Sequence, residues 1–163
     1  MTLVDYLEVA ARRYPDKPAI IFGGAVLDYQ SLRAQVEAVA AYLQQVLGVQ
    51  RGDRVLLFSQ NCPQFIVAFY AALRAEATVI PVSPMSTASE LRYYAENSGA
   101  RVVLATQELL GPVRACVEGG MLLGALVHAY SDALSGPAPD PLPDVALAPR
   151  QPLPEGTAWH GFA

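Results

Sequence analysis

Apolar positions along the chain change period several times, and each change marks a predicted element. Leu3, Leu7 and Ala10/Ala11 recur at helical spacing behind Thr2, which predicts a short amphipathic helix capped by a hydroxyl and ended before Pro15. Residues 19–22 and the pair Val26-Leu27 are short apolar runs on either side of Gly23-Gly24, the pattern of a tight hairpin. Leu32, Val36, Val39, Leu43 and Val46/Leu47 form the buried stripe of a longer helix, opened by the Asp28 carboxylate as N-cap and ended at Gly48. Residues 55–58 are then continuously apolar, as a central strand covered on both faces requires.

The alternation continues. Pro63 suits a first helical turn because its missing N–H costs nothing there, and Phe65, Phe69, Ala72 and Leu73 predict the buried face of the helix that follows. Residues 78–80 form the next strand, stopped by Pro81, and Thr87 with Glu90 has the spacing of a capping box for a helix that leaves at Gly99. A strand over 101–105, a helix capped by Thr106 and carrying Leu109, Val113 and Val117, and a short strand within 122–128 complete the pattern. Strands alternating with helices of this length make βαβ units, so the fold class is α/β: a three-layer, mostly parallel sheet with flanking helices over 1–130. From 131 to 163 the periodicity disappears and seven prolines hold the chain extended, which predicts a partly irregular linker or strap with no core of its own.

Composition narrows the chemistry. The formal net charge is -4 and the 11 basic residues are scattered, so no basic stripe exists to bind nucleic acid. Lys17 is the only lysine, which leaves little room for a tuned amine nucleophile or base. Hydrophobic residues make up 53% of the chain, more than one self-contained core needs, and this surplus asks for a covering partner, either further subdomains or a second copy. The apolar runs are too short to span a bilayer and residues 1–14 lack the order of a secretory signal, so the expected location is cytoplasmic or peripheral to a membrane. Cys62 and Cys116 have neither CxxC spacing nor enough histidines nearby in sequence for zinc; they read as reduced, packed thiols.

Several segments taken in order resemble the AMP-forming acyl-CoA synthetases and other adenylate-forming enzymes. They are Pro18-Ala19-Ile20, Asp28-Tyr29-Gln30-Ser31-Leu32, Gly52-Asp53-Arg54-Val55, Asn61-Cys62-Pro63-Gln64-Phe65, Ala71-Ala72-Leu73-Arg74-Ala75, Val82-Ser83-Pro84 and Asn97-Ser98-Gly99-Ala100. The resemblance implies the incomplete N-terminal subdomain of a larger enzyme, of the kind that includes long-chain fatty acid CoA ligases. Such enzymes make an acyl adenylate from a carboxylate and ATP and pass the acyl group to CoA, so ATP, magnesium and CoA are expected for the full-length enzyme and none for this fragment. Adenylation needs a Ser/Thr/Gly-rich phosphate loop ending near a lysine, and these 163 residues contain no such segment. No residue is therefore assigned a catalytic, cofactor-binding or metal-binding role, and the chain is expected to be a fragment without activity of its own. The alternative is a stand-alone interaction module without catalysis. Two departures stand out: Ala75-Glu76-Ala77 replaces the family's frequent Ala-Gly-Ala, and Ser83 replaces a common Asn before Pro84. If the chain is left-handed at Glu76, that residue costs about 1–2 kcal/mol relative to glycine.

Other features have plain structural readings. Gly119-Gly120 with Gly124 follows a helix and lacks the Lys-Ser/Thr ending of a phosphate loop, so it reads as a turn. A thiol nucleophile would need Cys62 or Cys116 within reach of His128 or His160; the two thiols and His128 read as packed, and His160 as a mobile tail residue. Tyr93-Tyr94 and Phe65, Phe69 and Tyr70 read as packing aromatics, Arg12-Arg13 as a solvated helix end, and Asp28 and Asn61 as caps.

Overall fold

The computed structural model describes residues 1–136 and 141–162. Helix α1 (Leu3–Arg13) opens with Thr2 and Asp5 in a reciprocal capping box. Strands β1 (Pro18–Phe22) and β2 (Ala25–Asp28) form an antiparallel hairpin. Both residues of its loop have positive φ, Gly23 at 55° and Gly24 at 82°, the backbone that a twisted two-residue hairpin needs. Helix α2 (Tyr29–Gln45) follows, with the Asp28 carboxylate accepting from the Ser31 N–H at 2.7 Å.

The main sheet holds five parallel strands in the order β4-β3-β5-β6-β7: β3 (Arg54–Phe58), β4 (Thr78–Val82), β5 (Val102–Thr106), β6 (Gly124–His128) and β7 (Trp159–Gly161). Helix α3 (Pro63–Arg74) links β3 to β4; α4 (Ala88–Ser98) and α5 (Leu110–Glu118) make the next two crossovers. Side chains of a strand alternate between faces, and the core divides accordingly. Val55, Leu57, Val102, Leu104 and Leu126 pack with α1, α2 and α3, whereas Leu56, Phe58, Val103, Ala105, Ala125 and Val127 pack with α4 and α5. The result is the three-layer α/β arrangement that the alternating sequence pattern predicts.

Several local expectations need correction. The buried face of α3 is Gln64, Val67, Ala68, Ala71 and Ala72, with Phe65 and Phe69 only half-buried on its flank. Its N-cap is Cys62, whose Sγ accepts from the Phe65 N–H at 3.4 Å, so Asn61 does not cap it. Thr106 does not cap α5: a 3-10 turn over Gln107–Leu109 intervenes and the Thr106 hydroxyl makes no cap bond. Strand β4 runs through Pro81 to Val82, because β4 is an edge strand whose outer side needs no ladder donor.

Glu76 is the residue that fulfils the left-handed condition: its φ is 59°, the one positive φ of a non-glycine residue among those described. The Ala77 N–H reaches the Ala72 carbonyl at 2.9 Å and the Glu76 N–H reaches Leu73 at 3.0 Å, a Schellman ending that favours glycine at this position. Glu76→Gly is expected to raise stability by about 0.5–1 kcal/mol, the left-handed penalty being partly offset by glycine's greater freedom when unfolded. Loss of the exposed 4.0 Å ion pair with Arg51 subtracts little. Urea denaturation of the two proteins measures this directly.

The proline-rich segment contributes to the main sheet. Residues 141–162 carry a short helix, α6 (Asp144–Leu147), and then β7, which pairs with β6 through Ala125↔Trp159, Leu126↔His160 and Val127↔Gly161. Phe162 is buried in the α1–α3 face of the core, and Arg150 donates to the Asp132 carboxylate and to the Phe162 carbonyl. His160 is fixed as well: its Nδ1 lies 2.7 Å from the Tyr42 hydroxyl of α2.

Candidate functional site

In a doubly wound parallel sheet, ligands sit beyond the carboxyl ends of the strands, where successive crossovers leave on opposite faces. Here that point lies between β3 and β5, since α3 covers one face and α4 and α5 the other. The residues there are polar and buried. Thr106 and His128 are register partners at the ends of β5 and β6, two residues beyond Leu104 and Leu126, so they continue the α1–α3 face. Ser59 follows β3, and Gln64 approaches from the first turn of α3, donating its Nε2 proton to the Ala129 carbonyl at 2.9 Å.

Four buried atoms of this group have no hydrogen-bond partner: Gln64 Oε1, Thr106 Oγ1 and both ring nitrogens of His128. His128 is almost fully buried, with edge-to-face contacts to Tyr130 at 5.8 Å and Phe162 at 5.7 Å. Burial lowers its pKa to about 4, opposed in part by the Asp132 carboxylate, so the ring is neutral at pH 7. A base enclosed this way has neither the access nor the proton affinity for general-base work.

The crevice itself is filled by the chain. Tyr130 is buried over it, its hydroxyl accepting from the Gln60 N–H at 3.3 Å, and it packs with Cys62 and Ala146 of α6. Burial and then the Glu108 carboxylate hold the phenol protonated well above its ordinary range. Burial likewise pushes both cysteine thiols up, and the Cys62 sulfur meets Ser59 Oγ at 3.7 Å and the Phe65 N–H. A protonated thiol without a histidine beside it is a poor nucleophile. Among the described residues no group of three His, Cys, Asp or Glu side chains is placed to hold a metal.

Two of the open depressions border charged or polar side chains near the helices just described. One, of about 470 Å³, is bordered by Glu8, Arg12, Arg33, Glu37 and Arg74. Its charges are already matched, Arg74 with Glu37 at 2.7 Å and Arg33 with Glu8 at 3.7 Å, so it reads as a clasp between helices. The other is a groove of about 420 Å³ between the hairpin, the start of α3 and the turn after β6, with Ile20, Phe22, Leu27, Gln64, Asp132 and Phe162 on its walls. Sequence reasoning missed the polar row and this groove, although a strand over 122–128 already puts His128 on the same face as Leu126.

The other residues singled out in the sequence do not converge. Gly119 and Gly120 form the turn after α5, Tyr93 and Tyr94 lie on α4, and Lys17 stacks over the Tyr14 ring at 4.9 Å. The fold thus closes its switch point with Tyr130, Cys62 and Ala146 of α6. Comparison with known proteins gives this arrangement its context, because the sequence profile described as AMP-binding enzyme matches residues 7–152. The chain belongs to the AMP-binding enzyme family. It corresponds to the N-terminal part of an acyl-CoA ligase-like member of that family.

Among curated AMP-binding enzymes, the long-chain-fatty-acid CoA ligase of Salmonella typhimurium is 36% identical over 134 residues, 82% of this chain and 24% of the relative. The oxalate CoA ligase of Arabidopsis thaliana is 32% identical over 114 residues, 69% of this chain and 22% of the relative. Among solved structures, the benzoate CoA ligase of Burkholderia xenovorans LB400 superposes with a TM-score of 0.72 at 25% identity, covering 78% of this chain and 26% of that one. The chain therefore spans about a quarter of the length of the relatives it matches. The acid named differs among the three.

Proposed function

We propose that this chain is the N-terminal scaffolding part of an ATP-dependent acid–thiol ligase that converts a fatty acid to its CoA thioester. In that reaction a carboxylate oxygen attacks the α-phosphorus of ATP and pyrophosphate leaves; the CoA sulfur then attacks the acyl carbon and AMP leaves. The observation that carries the fatty-acid assignment is the 36% identity to the Salmonella ligase over 82% of this chain, broader and higher than the match to the oxalate ligase. The scaffolding role rests on the filled switch point and on the absence from these residues of a Ser/Thr/Gly-rich loop ending near lysine. Triphosphate must then be held by other residues of the parent enzyme, with this sheet packed against the subdomain that bears them. No helix of the described residues is long and apolar enough to cross a membrane, which accords with work in the cytoplasm or at a membrane surface.

The substrate is tested in the whole reading frame, supplied with ATP, magnesium, CoA and in turn hexadecanoate, benzoate and oxalate, with AMP and thioester measured. Hexadecanoate is expected to give the highest kcat/KM. Preference for benzoate or oxalate overturns the fatty-acid assignment, and no AMP with any carboxylate overturns the ligase reading.

A further inference from the structure

Residues 141–151 cross the carboxyl end of the sheet, touching Cys62 after β3, Gln107 after β5 and Ser131 after β6 by way of packing or hydrogen bonds. Almost nothing apolar holds them there. Ala146 is the one buried side chain of the stretch, while Val145 and Leu147 of α6 remain exposed. Among the described residues no backbone hydrogen bond joins it to the rest of the chain; the 2.8 Å bond from the Ala146 N–H to the Pro143 carbonyl stays within it. Side-chain bonds anchor it instead. The Gln107 amide donates to the Pro149 carbonyl at 3.0 Å and accepts from the Gln151 N–H at 2.8 Å, and the Ser131 hydroxyl donates to the Ala148 carbonyl at 2.7 Å. Arg150, itself exposed, grips the Asp132 carboxylate and the carbonyls of Val127 and Phe162.

A stretch held this way opens at a fraction of the cost of unfolding the sheet. One methyl group and a few polar bonds oppose the opening, and water replaces much of each bond once the stretch lifts. The ion pair between Arg150 and Asp132 is partly exposed, so solvent weakens it too. The sheet beneath is held by large apolar clusters on both faces, which nothing in this movement disturbs. We propose that residues 141–151 form a lid over the switch point, latched by Gln107, Ser131 and the pair Arg150–Asp132, and that it opens while the five-stranded sheet stays folded. Opening removes the cover of Ala146 from Cys62 and Tyr130, at the crevice where ligands of doubly wound sheets bind. The lid is a property of these residues alone and stands whether or not the parent enzyme is a ligase.

The two cysteines report on it. Cys62 lies under the lid, and Cys116 is buried between the sheet and α4 and α5. Alkylation of the 163-residue chain by iodoacetamide at about pH 8, followed for each thiol by peptide mass spectrometry from zero to about 2 M urea, compares them; each rate is taken relative to that of the same thiol in the unfolded chain. Cys62 is expected to react roughly tenfold or more faster than Cys116 without urea, and its rate should rise little with urea because a lid exposes little surface. Cys116 needs global unfolding and should follow a steep slope. Gln107→Leu should speed Cys62 roughly thirtyfold, the effect of two neutral hydrogen bonds, without steepening its urea dependence. Equal rates and parallel urea slopes for the two thiols, or a Cys62 rate unmoved by Gln107→Leu, overturn the proposal. Should Gln107→Leu fail to fold, Ser131→Ala takes its place, with an increase of roughly fivefold expected for the one bond it removes.

Discussion

Lowering the pH from 7 to 4 is expected to remove about 3 kcal/mol of folding stability through His128 alone. In the folded chain its pKa is about 4, against 6.5 for the unperturbed group. Between those values the unfolded chain binds a proton that the folded chain refuses, so the full contribution is present above pH 6.5, declines as pH falls, and levels off below about 4. A gap of roughly 2.5 units at about 1.4 kcal/mol per unit gives the magnitude. Asp132 and Arg150 are the charged groups that bear on the ring; their effects oppose each other and both are smaller than that of burial. The capping carboxylates Asp5, Asp28 and Glu90, all held below their ordinary range by backbone hydrogen bonds, add their own loss at the acid end. His128→Leu separates the two effects. Neither ring nitrogen is bonded, so this variant should be at least as stable as wild type at pH 7 and should retain only the carboxylate part of the acid loss. Urea denaturation at pH steps from 4 to 8 measures both curves, and a wild-type curve that is flat between 6.5 and 4.5 contradicts the burial of this ring.

Phe162→Ala is expected to cost about 3–5 kcal/mol, as for a large aromatic removed from a core. Phe162 is buried with Leu126 and the α1–α3 face, its ring meets His128, its N–H reaches the Val127 carbonyl at 2.7 Å, and its own carbonyl takes Arg150. Pro152→Ala, exposed in the same segment, serves as the control and should change stability little. A loss below about 1 kcal/mol for Phe162→Ala would mean that β7 is not integral to the sheet.

The elements legible in the sequence were those whose signals are local. Thr2, Asp28 and Thr87 cap the helices they were expected to cap, the Gly-Gly pair forms the hairpin turn, and the continuous apolar run over 55–58 is a central strand. What escaped depends on distant partners. Strand β7 has three residues and no period of its own; it exists because β6 offers an open edge and Arg150 ties the segment to Asp132. Pro81 reads as a stop because the sequence does not disclose that β4 lies at an edge. The polar row was only half hidden: the strand period places Thr106 and His128 on the α1–α3 face, but the closure of that end by Tyr130 and α6 is a tertiary event.

The central claim is that these residues support an adenylation site without containing one. Its most direct test compares AMP and acyl-CoA formation from hexadecanoate, ATP, magnesium and CoA by the 163-residue chain and by the same chain joined to the rest of its reading frame. No product from the former and sustained product from the latter is the expected result. Sustained AMP and acyl-CoA production by the 163 residues acting by themselves would contradict it.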